Sequence, residues 1–183
     1  MFMGRLHPAK RLELTLECLA QLRTERPDAR LLVFGRGDEA YERSLHDRAQ
    51  SLGVSDGVCW AGWIEREARW EALASADVLL LNSLFENFGC VIPEAALVGT
   101  GVVASDNLSM GDDLRRSNVG EVCTPDAESL ARGVLRVLDD HDSERMRRWA
   151  EEMFSPQAIA SQLGSMYASV MDGDRRGTQE STT

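Results

Sequence analysis

Val78-Leu79-Leu80-Leu81-Asn82-Ser83-Leu84-Phe85-Glu86-Asn87-Phe88-Gly89-Cys90-Val91-Ile92-Pro93-Glu94-Ala95-Ala96-Leu97 reads as an apolar strand, a turn and the start of a helix. An unbroken aliphatic run of this length, with no polar alternation, is the pattern of a strand buried on both faces. Two carboxylates, Glu86 and Glu94, lie beyond its carboxyl end, with Phe88-Gly89 between them. In open parallel sheets, ligands bind in the crevice beyond the carboxyl ends of the strands. A carboxylate placed there accepts two hydrogen bonds from a vicinal diol of the kind found on ribose or a hexose. Gly89 lets backbone N–H groups approach a ligand, and the following helix N-terminus favours an anion. Diol acceptors beside an anion site suit a nucleoside diphosphate sugar.

Outward from this stretch, helices and short apolar runs alternate. Residues 9–25 read as a helix, with Leu12, Leu16, Leu19 and Leu22 at helical spacing and Pro27 beyond. Leu31-Leu32-Val33-Phe34 is a strand ended by Gly35-Arg36-Gly37, residues 39–52 a helix stopped by Gly53, and Val58-Cys59-Trp60-Ala61 a strand closed by Gly62. A helix over 65–75 precedes the strand at 78–82; after the helix that runs to Leu97, Val102-Val103-Ala104 forms the next strand. A short helix at 111–117, a strand at 120–123 and helices near 127–139, 143–153 and 156–171 complete the pattern. Met1-Phe2-Met3 is too short for a full strand, and the chain reads as starting inside its first one. Residues 172–183 contain nothing to bury and are expected to be disordered. The alternation means βαβ units: an α/β, three-layer Rossmann-like domain over residues 1–171, with a mostly parallel sheet of about six strands.

Composition narrows the function. The 183 residues are one domain's worth of chain, and the apolar fraction of 43% is ordinary for a water-exposed protein. No stretch approaches the roughly 20 apolar residues of a membrane span, and the opening residues do not read as a signal peptide. The net charge of −10 argues against nucleic acid and anionic membranes as partners. Cys18, Cys59, Cys90 and Cys123 lack metal-ligand spacing; Cys18, Cys59 and Cys123 fall in expected helix or strand and read as buried thiols, and a reducing cytoplasm fits. All twenty basic residues except Lys10 are arginine, which either codon bias or adaptation to salt explains and which makes Lys10 conspicuous.

Several motifs then fall into one order: Gly4-Arg5-Leu6, Lys10, Val33-Phe34-Gly35-Arg36-Gly37, Trp60-Ala61-Gly62-Trp63 and Ala76-Asp77-Val78. Ser83 with Glu86-Asn87-Phe88-Gly89 and Glu94-Ala95 follows, then Gly99-Thr100-Gly101-Val102-Val103-Ala104-Ser105. Over about residues 3–140 this resembles the carboxyl-terminal domain of family 4 glycosyltransferases, the group 1 glycosyl transferases. Gly35-x-Gly37 alone is a weak signal; the two glutamates with Phe88-Gly89, behind Arg5 and Lys10, are a specific one. The resemblance implies one half of a GT-B fold, two Rossmann-like domains with a cleft between them. It implies an enzyme that retains anomeric configuration and transfers a sugar from a nucleoside diphosphate donor, with no cofactor and no metal.

By the same resemblance Arg5 and Lys10 straddle the donor diphosphate and, with Glu86, form the catalytic group. The planar fork of Arg5 and the point charge of Lys10 would neutralise the departing diphosphate. Glu86 would hold the transferred sugar, and Glu94 the ribose hydroxyls. Gly4 and the backbone of Asn87, Phe88 and Gly89 would contact sugar and phosphate, with Gly62, Trp63 and Ile64 near the nucleobase. Read singly, Arg5 and Lys10 are solvated charges, Glu86 a loop charge, and Glu94 a favourable acid in a first helical turn after Pro93. Trp63 and Trp70 read as packing residues, Glu65-Arg66-Glu67 as a solvated helix start, and His7, His46 and His141 as surface residues.

Three departures from the family pattern stand out. Arg11 occupies a position usually glycine, Gly101 one usually proline, and Leu108-Ser109-Met110-Gly111-Asp112-Asp113 replaces paired glycines and a glutamate. The amino-terminal, acceptor-binding domain of the fold is not among these residues, so the chain reads as the donor half, inactive without that domain in cis or as a partner chain. Any membrane association would come through that other half. A stand-alone, non-catalytic nucleotide-sugar binding module is the alternative, and an epimerase of nucleotide sugars a third reading. A bare dinucleotide-binding domain fits poorly, because no G-x-G-x-x-G follows the first strand. An exposed apolar patch is expected on the interdomain face. Ile159, Leu163, Met166, Tyr167 and Val170 on the last helix either belong to that face or pack on their own domain.

Overall fold

The computed structural model describes the backbone of residues 1–177 and the side chains of residues 1–170. Six strands are flanked by helices: β1 (Phe2–Met3), α1 (Leu12–Glu25), β2 (Leu31–Phe34), α2 (Glu39–Ser51), β3 (Val58–Gly62), α3 (Arg69–Ala74) and β4 (Val78–Leu81). These are followed by α4 (Val91–Val98), β5 (Gly101–Ser105), α5 (Gly111–Ser117), β6 (Glu121–Cys123), α6 (Ala127–Asp139), α7 (Ser143–Phe154) and α8 (Pro156–Gly177).

The strands form two parallel ladders, β1-β2-β3 and β4-β5-β6. Hydrogen bonds from Leu80 N–H to the Met1 carbonyl (3.0 Å) and from the Met1 nitrogen to the Val78 carbonyl join them across β1 and β4. The strands therefore run β3-β2-β1-β4-β5-β6, with the order reversing between β1 and β4. That reversal opens a crevice at the carboxyl ends of these two strands.

Alternating side chains of β4 explain why it reads as continuously apolar. Leu79 and Leu81 pack with Ile92, Ala95, Met146 and Trp149 on the α3–α4–α7 side. Val78 and Leu80 pack with Leu14, Leu130 and Val134 on the α1–α6 side. A third cluster, with Phe2, Leu12, Leu16, Val33 and Leu45, seats α1 and α2 on the opening strands. Fully burying one such aliphatic side chain is worth about 1.5–3 kcal/mol, so β4 is a firmly anchored base for the loop that follows it.

The structure differs from the sequence expectations in four places. The helix expected over 9–25 is split: a 3-10 turn (Pro8–Lys10) ends at Arg11, which is left-handed (φ 52°, ψ 44°), and α1 starts at Leu12. Left-handed backbone costs an L-residue roughly 1–2 kcal/mol. The Arg11 guanidinium, bonded to the Pro125 carbonyl at 3.1 Å, and its own carbonyl, accepting from Asn82 Nδ2 at 3.2 Å, offset that. The helix expected over 65–75 is confined to Arg69–Ala74, with residues 66–68 forming a turn. Cys59 is exposed rather than buried, because β3 is an edge strand whose side chains are alternately half-buried and exposed; Cys18 and Cys123 are buried and Cys90 is exposed. Finally, α8 runs to Gly177, and the disorder expected over 172–183 lies, from residue 178, outside the described residues.

The family departures have local explanations. Gly101 N–H donates to the Asp77 carbonyl at 3.0 Å, a bond proline cannot make. Leu108 and Met110 are buried, so the replacement loop packs into the core. Asn107 ties that loop to the strand β4 end by donating to the Ser83 carbonyl at 2.9 Å.

Candidate functional site

Two adjoining clefts occupy the crevice where β1 and β4 diverge, and both are floored by Met3, Gly4 and Arg5. The first, about 530 Å³, is walled by Lys10 on one side and by Glu86, Asn87, Phe88, Gly89 and Cys90 on the other. The second, about 690 Å³, lies toward the ends of β2 and β3 and is lined by Arg36, Trp63, Ile64, Arg66 and Arg69. Two further concavities lie at the opposite, amino ends of the strands, one beside Asn118 and His141 and one beside Met1 and Asp77.

The first cleft is built by cross-links between the turn at 8–11 and the loop after β4. Leu84 N–H donates to the Ala9 carbonyl at 2.7 Å, and Asn82 Nδ2 to the Arg11 carbonyl. Asn82 is fully buried and accepts from the Thr15 hydroxyl at 3.2 Å, so its amide clamps the start of α1 to the end of β4. Lys10 Nζ consequently pairs with Glu86 Oε1, which also accepts from the Ser83 hydroxyl at 2.7 Å. Both charged side chains are mostly shielded, 21% and 16% exposed, whereas Arg5 is exposed on the shared floor. Gly89 sits at φ 78° and lets the loop turn into α4. Phe88 braces the loop from behind: its ring meets Phe154 edge-on at 5.7 Å, and Phe154 meets Trp149 at 5.3 Å.

Glu94, in the first turn of α4, has Arg69 Nη2 2.7 Å from Oε2. The guanidinium N–H is not aimed at that oxygen, which stays without a hydrogen bond. Burial pushes the Glu94 carboxyl above its ordinary value and outweighs the opposing pull of Arg69 and Arg66. A buried carboxylate with an unmet lone pair is suited to accept hydroxyls.

Gly62 is left-handed (φ 73°), and Arg36 lies over it. The Nη2, Nε and Cζ atoms of Arg36 are 3.1–3.4 Å from where a β-carbon on residue 62 would stand. Glu42 fixes this guanidinium from behind, 3.3 Å from Nη1, while its other oxygen accepts Gly37 N–H at 2.7 Å.

The residues singled out in the sequence therefore converge. Gly4, Arg5, Lys10, Glu86, Asn87, Phe88 and Gly89 line the first cleft, and Trp63 and Ile64 the second. Gly62 supports Arg36, and Glu94 meets Arg69 of the second cleft. The expectation that Trp63 and Trp70 pack internally is overturned: Trp63, in the loop after β3, is 70% exposed and Trp70, in α3, 40%. Sequence reasoning passed over Arg36, Arg66 and Arg69. The available signal was an arginine between two glycines directly after a buried strand. The three histidines are exposed, as expected. Among the described residues no cluster of metal-ligating side chains occurs, and no helix is long and apolar enough to cross a membrane.

The family model of glycosyl transferases group 1 matches residues 1–154. Glycogen synthase of Mycobacterium tuberculosis is 29% identical over 182 residues, which is 96% of this chain and 44% of that protein. A phosphatidyl-myo-inositol mannosyltransferase of Mycolicibacterium smegmatis is 31% identical, over 87% of this chain and 43% of its own length. The solved sucrose-phosphate synthase of Thermosynechococcus elongatus superposes with a TM-score of 0.80 at 27% identity, covering 94% of this chain and 45% of that one. The chain thus spans about half the length of the curated relatives it matches. With its reversed strand order, its Arg5–Lys10–Glu86 crevice and this matched family model, the chain belongs to the glycosyl transferases group 1 family, as the carboxyl-terminal domain of a GT-B fold.

Proposed function

We propose that this chain is the donor-binding half of a retaining glycosyltransferase, one that moves a sugar from a nucleoside diphosphate sugar to an acceptor hydroxyl together with an amino-terminal domain. The observation that carries this reading is the convergence of Arg5, Lys10 and Glu86 on one cleft at the strand-order reversal. Arg5 and Lys10 supply two positive charges for a diphosphate, and Glu86 and Glu94 supply acceptors for sugar and ribose hydroxyls. In the transfer, the bond from the anomeric carbon to the diphosphate oxygen breaks and a bond to the acceptor oxygen forms on the same face. The acceptor proton ends on the released diphosphate. Arg5 and Lys10 stabilise the charge that gathers there, in a partly water-excluded site where preorganised charge counts most. The resting Lys10–Glu86 pair keeps both side chains in place until the diphosphate takes over Lys10. The second half of the fold supplies the acceptor site, in keeping with relatives about twice as long.

Calorimetric titration with UDP, GDP and ADP tests this. One or more should bind, and a Lys10→Ala, Glu94→Ala double variant should lose about tenfold or more in affinity, the scale expected from losing a charge-assisted contact. Chelation with EDTA should leave binding unchanged. Wild-type and variant chains that bind equally would defeat the assignment.

A further inference from the structure

We infer that Asn107, in the loop after β5, is a positioning residue for the donor sugar. It lines neither cleft, yet by tethering the stem of the loop that carries Glu86 it sets where that carboxylate meets the sugar hydroxyls. This rests on the donor-site reading above and extends it to a residue outside the site.

Among the described residues two groups hold the Glu86 carboxylate, the Lys10 ammonium and the Ser83 hydroxyl, both on Oε1. A bound diphosphate draws Lys10 away, which leaves Ser83 to fix the carboxylate when the donor is in place. Ser83 is fully buried, so its hydroxyl points where its backbone directs it. That backbone is clamped on both sides of a single peptide plane. The Ser83 carbonyl accepts from Asn107 Nδ2 at 2.9 Å, and the Leu84 N–H of the same plane donates to the Ala9 carbonyl at 2.7 Å. A planar trans peptide held at both its carbonyl and its N–H cannot rotate. One anchor belongs to the turn that carries Lys10, the other to the loop after β5.

The residue type suits the task. A side-chain amide carries two N–H donors on one nitrogen, and Asn107 Nδ2 spends them on two successive carbonyls, those of Ser83 and Leu84. The nearby Ser105 hydroxyl, 3.5 Å from the Ser83 carbonyl, stands at the limit of a hydrogen bond and does not replace it. Asn107 itself stands on a fixed base: Asp106 N–H donates to the Cys123 carbonyl at 2.9 Å, and Leu108 is buried. Small displacements of a positioning group cost a reacting site heavily. Because Glu86 addresses the sugar rather than the nucleotide, loss of the tether should be felt by ligands that carry the sugar and not by the bare diphosphate.

The 183-residue chain would be titrated with UDP and UDP-glucose, GDP and GDP-mannose, and ADP and ADP-glucose. Asn107→Ala should weaken the sugar conjugate that binds by about three- to tenfold, the scale of one or two hydrogen bonds, and leave its parent diphosphate within about twofold. Asn107→Asp, which keeps the shape and removes both donors, should do at least as much. In a Glu86→Gln background, Asn107→Ala should have no further effect on the conjugate, since the tether acts through that carboxylate. Near-ultraviolet circular dichroism would show that each variant is folded. Unchanged conjugate affinity in Asn107→Ala overturns the inference. So does an equal loss for conjugate and diphosphate, or a loss that persists in the Glu86→Gln background, either of which would make Asn107 a general support of the loop. Diphosphate binding without binding of any conjugate also overturns it and leaves the diphosphate site standing. If none of the three diphosphates binds, the donor-site reading fails and the inference with it.

Discussion

Glu94, paired with Arg69 of the second cleft, carries one carboxyl group whose protonation can be read. Its pKa is raised from 4.5 first by burial, with Arg69 and Arg66 pulling the other way without winning. On the proposed role of Glu94 as acceptor of both ribose hydroxyls, which needs the carboxylate, nucleotide affinity should be full above the raised pKa and fall as pH drops through it, at higher pH than an ordinary glutamate would dictate. The effect on stability has the opposite sign. The folded state holds this proton more tightly than the unfolded chain, so the penalty of a buried carboxylate is present above the folded pKa and gone below 4.5. Affinity and stability should therefore move in opposite directions across that window. Calorimetry from about pH 7 downward checks this, with Glu94→Gln expected to bind weakly and without that pH dependence. A wild-type profile parallel to that of the variant would remove Glu94 from the site.

At the level of elements, the site depends on how tightly the turn at 8–11 is bound to the end of β4. Asn82 carries this junction: its fully buried amide donates to the part-buried Arg11 carbonyl and accepts the buried Thr15 hydroxyl. Asn82→Ala should cost about 1–3 kcal/mol in denaturant unfolding, because it strands a buried hydroxyl and carbonyl. It should also weaken nucleotide binding, since Lys10 rides on the released turn; a loss of stability with unchanged affinity would show that Lys10 is placed by Glu86 alone. Much of this architecture was legible in the sequence. β2, β4 and α6 follow from apolar runs and helical spacing, because burial alone sets those patterns. The break at Arg11 was not legible, since a left-handed arginine is held by Asn82, seventy-one positions away. Glu86 and Glu94 were legible through their spacing behind a buried strand, and Lys10 through the family resemblance; the ion pair between Lys10 and Glu86 was not. Arg36, Arg66 and Arg69 were not, because they follow different strands and only the sheet order brings them to one cleft.

For the whole molecule, the distribution of exposed apolar surface argues for a further protein contact. Leu84, Phe85, Phe88 and Trp63 are between 47% and 70% exposed around the carboxyl ends of the strands. On α8, Ile159, Leu163, Met166, Tyr167 and Val170 are 43–62% exposed, so the reading in which they pack on their own domain does not hold. Side chains of this size are worth about 1.5–3 kcal/mol each when buried, enough together to drive association even in a chain with a net charge of −10. The isolated chain should therefore self-associate as its concentration rises. Replacing Leu163 and Tyr167 with Glu should shift sedimentation velocity profiles toward the monomer and leave nucleotide affinity unchanged, because α8 lines neither cleft. A wild-type chain that stays monomeric throughout would mean that the α8 stripe is tolerated in water and drives no contact. A variant that associates as before would instead place the sticky surface at Leu84, Phe85 and Trp63, around the carboxyl ends of the strands. Nucleotide should then compete with self-association, and the same sedimentation run with UDP or GDP added would separate the two surfaces.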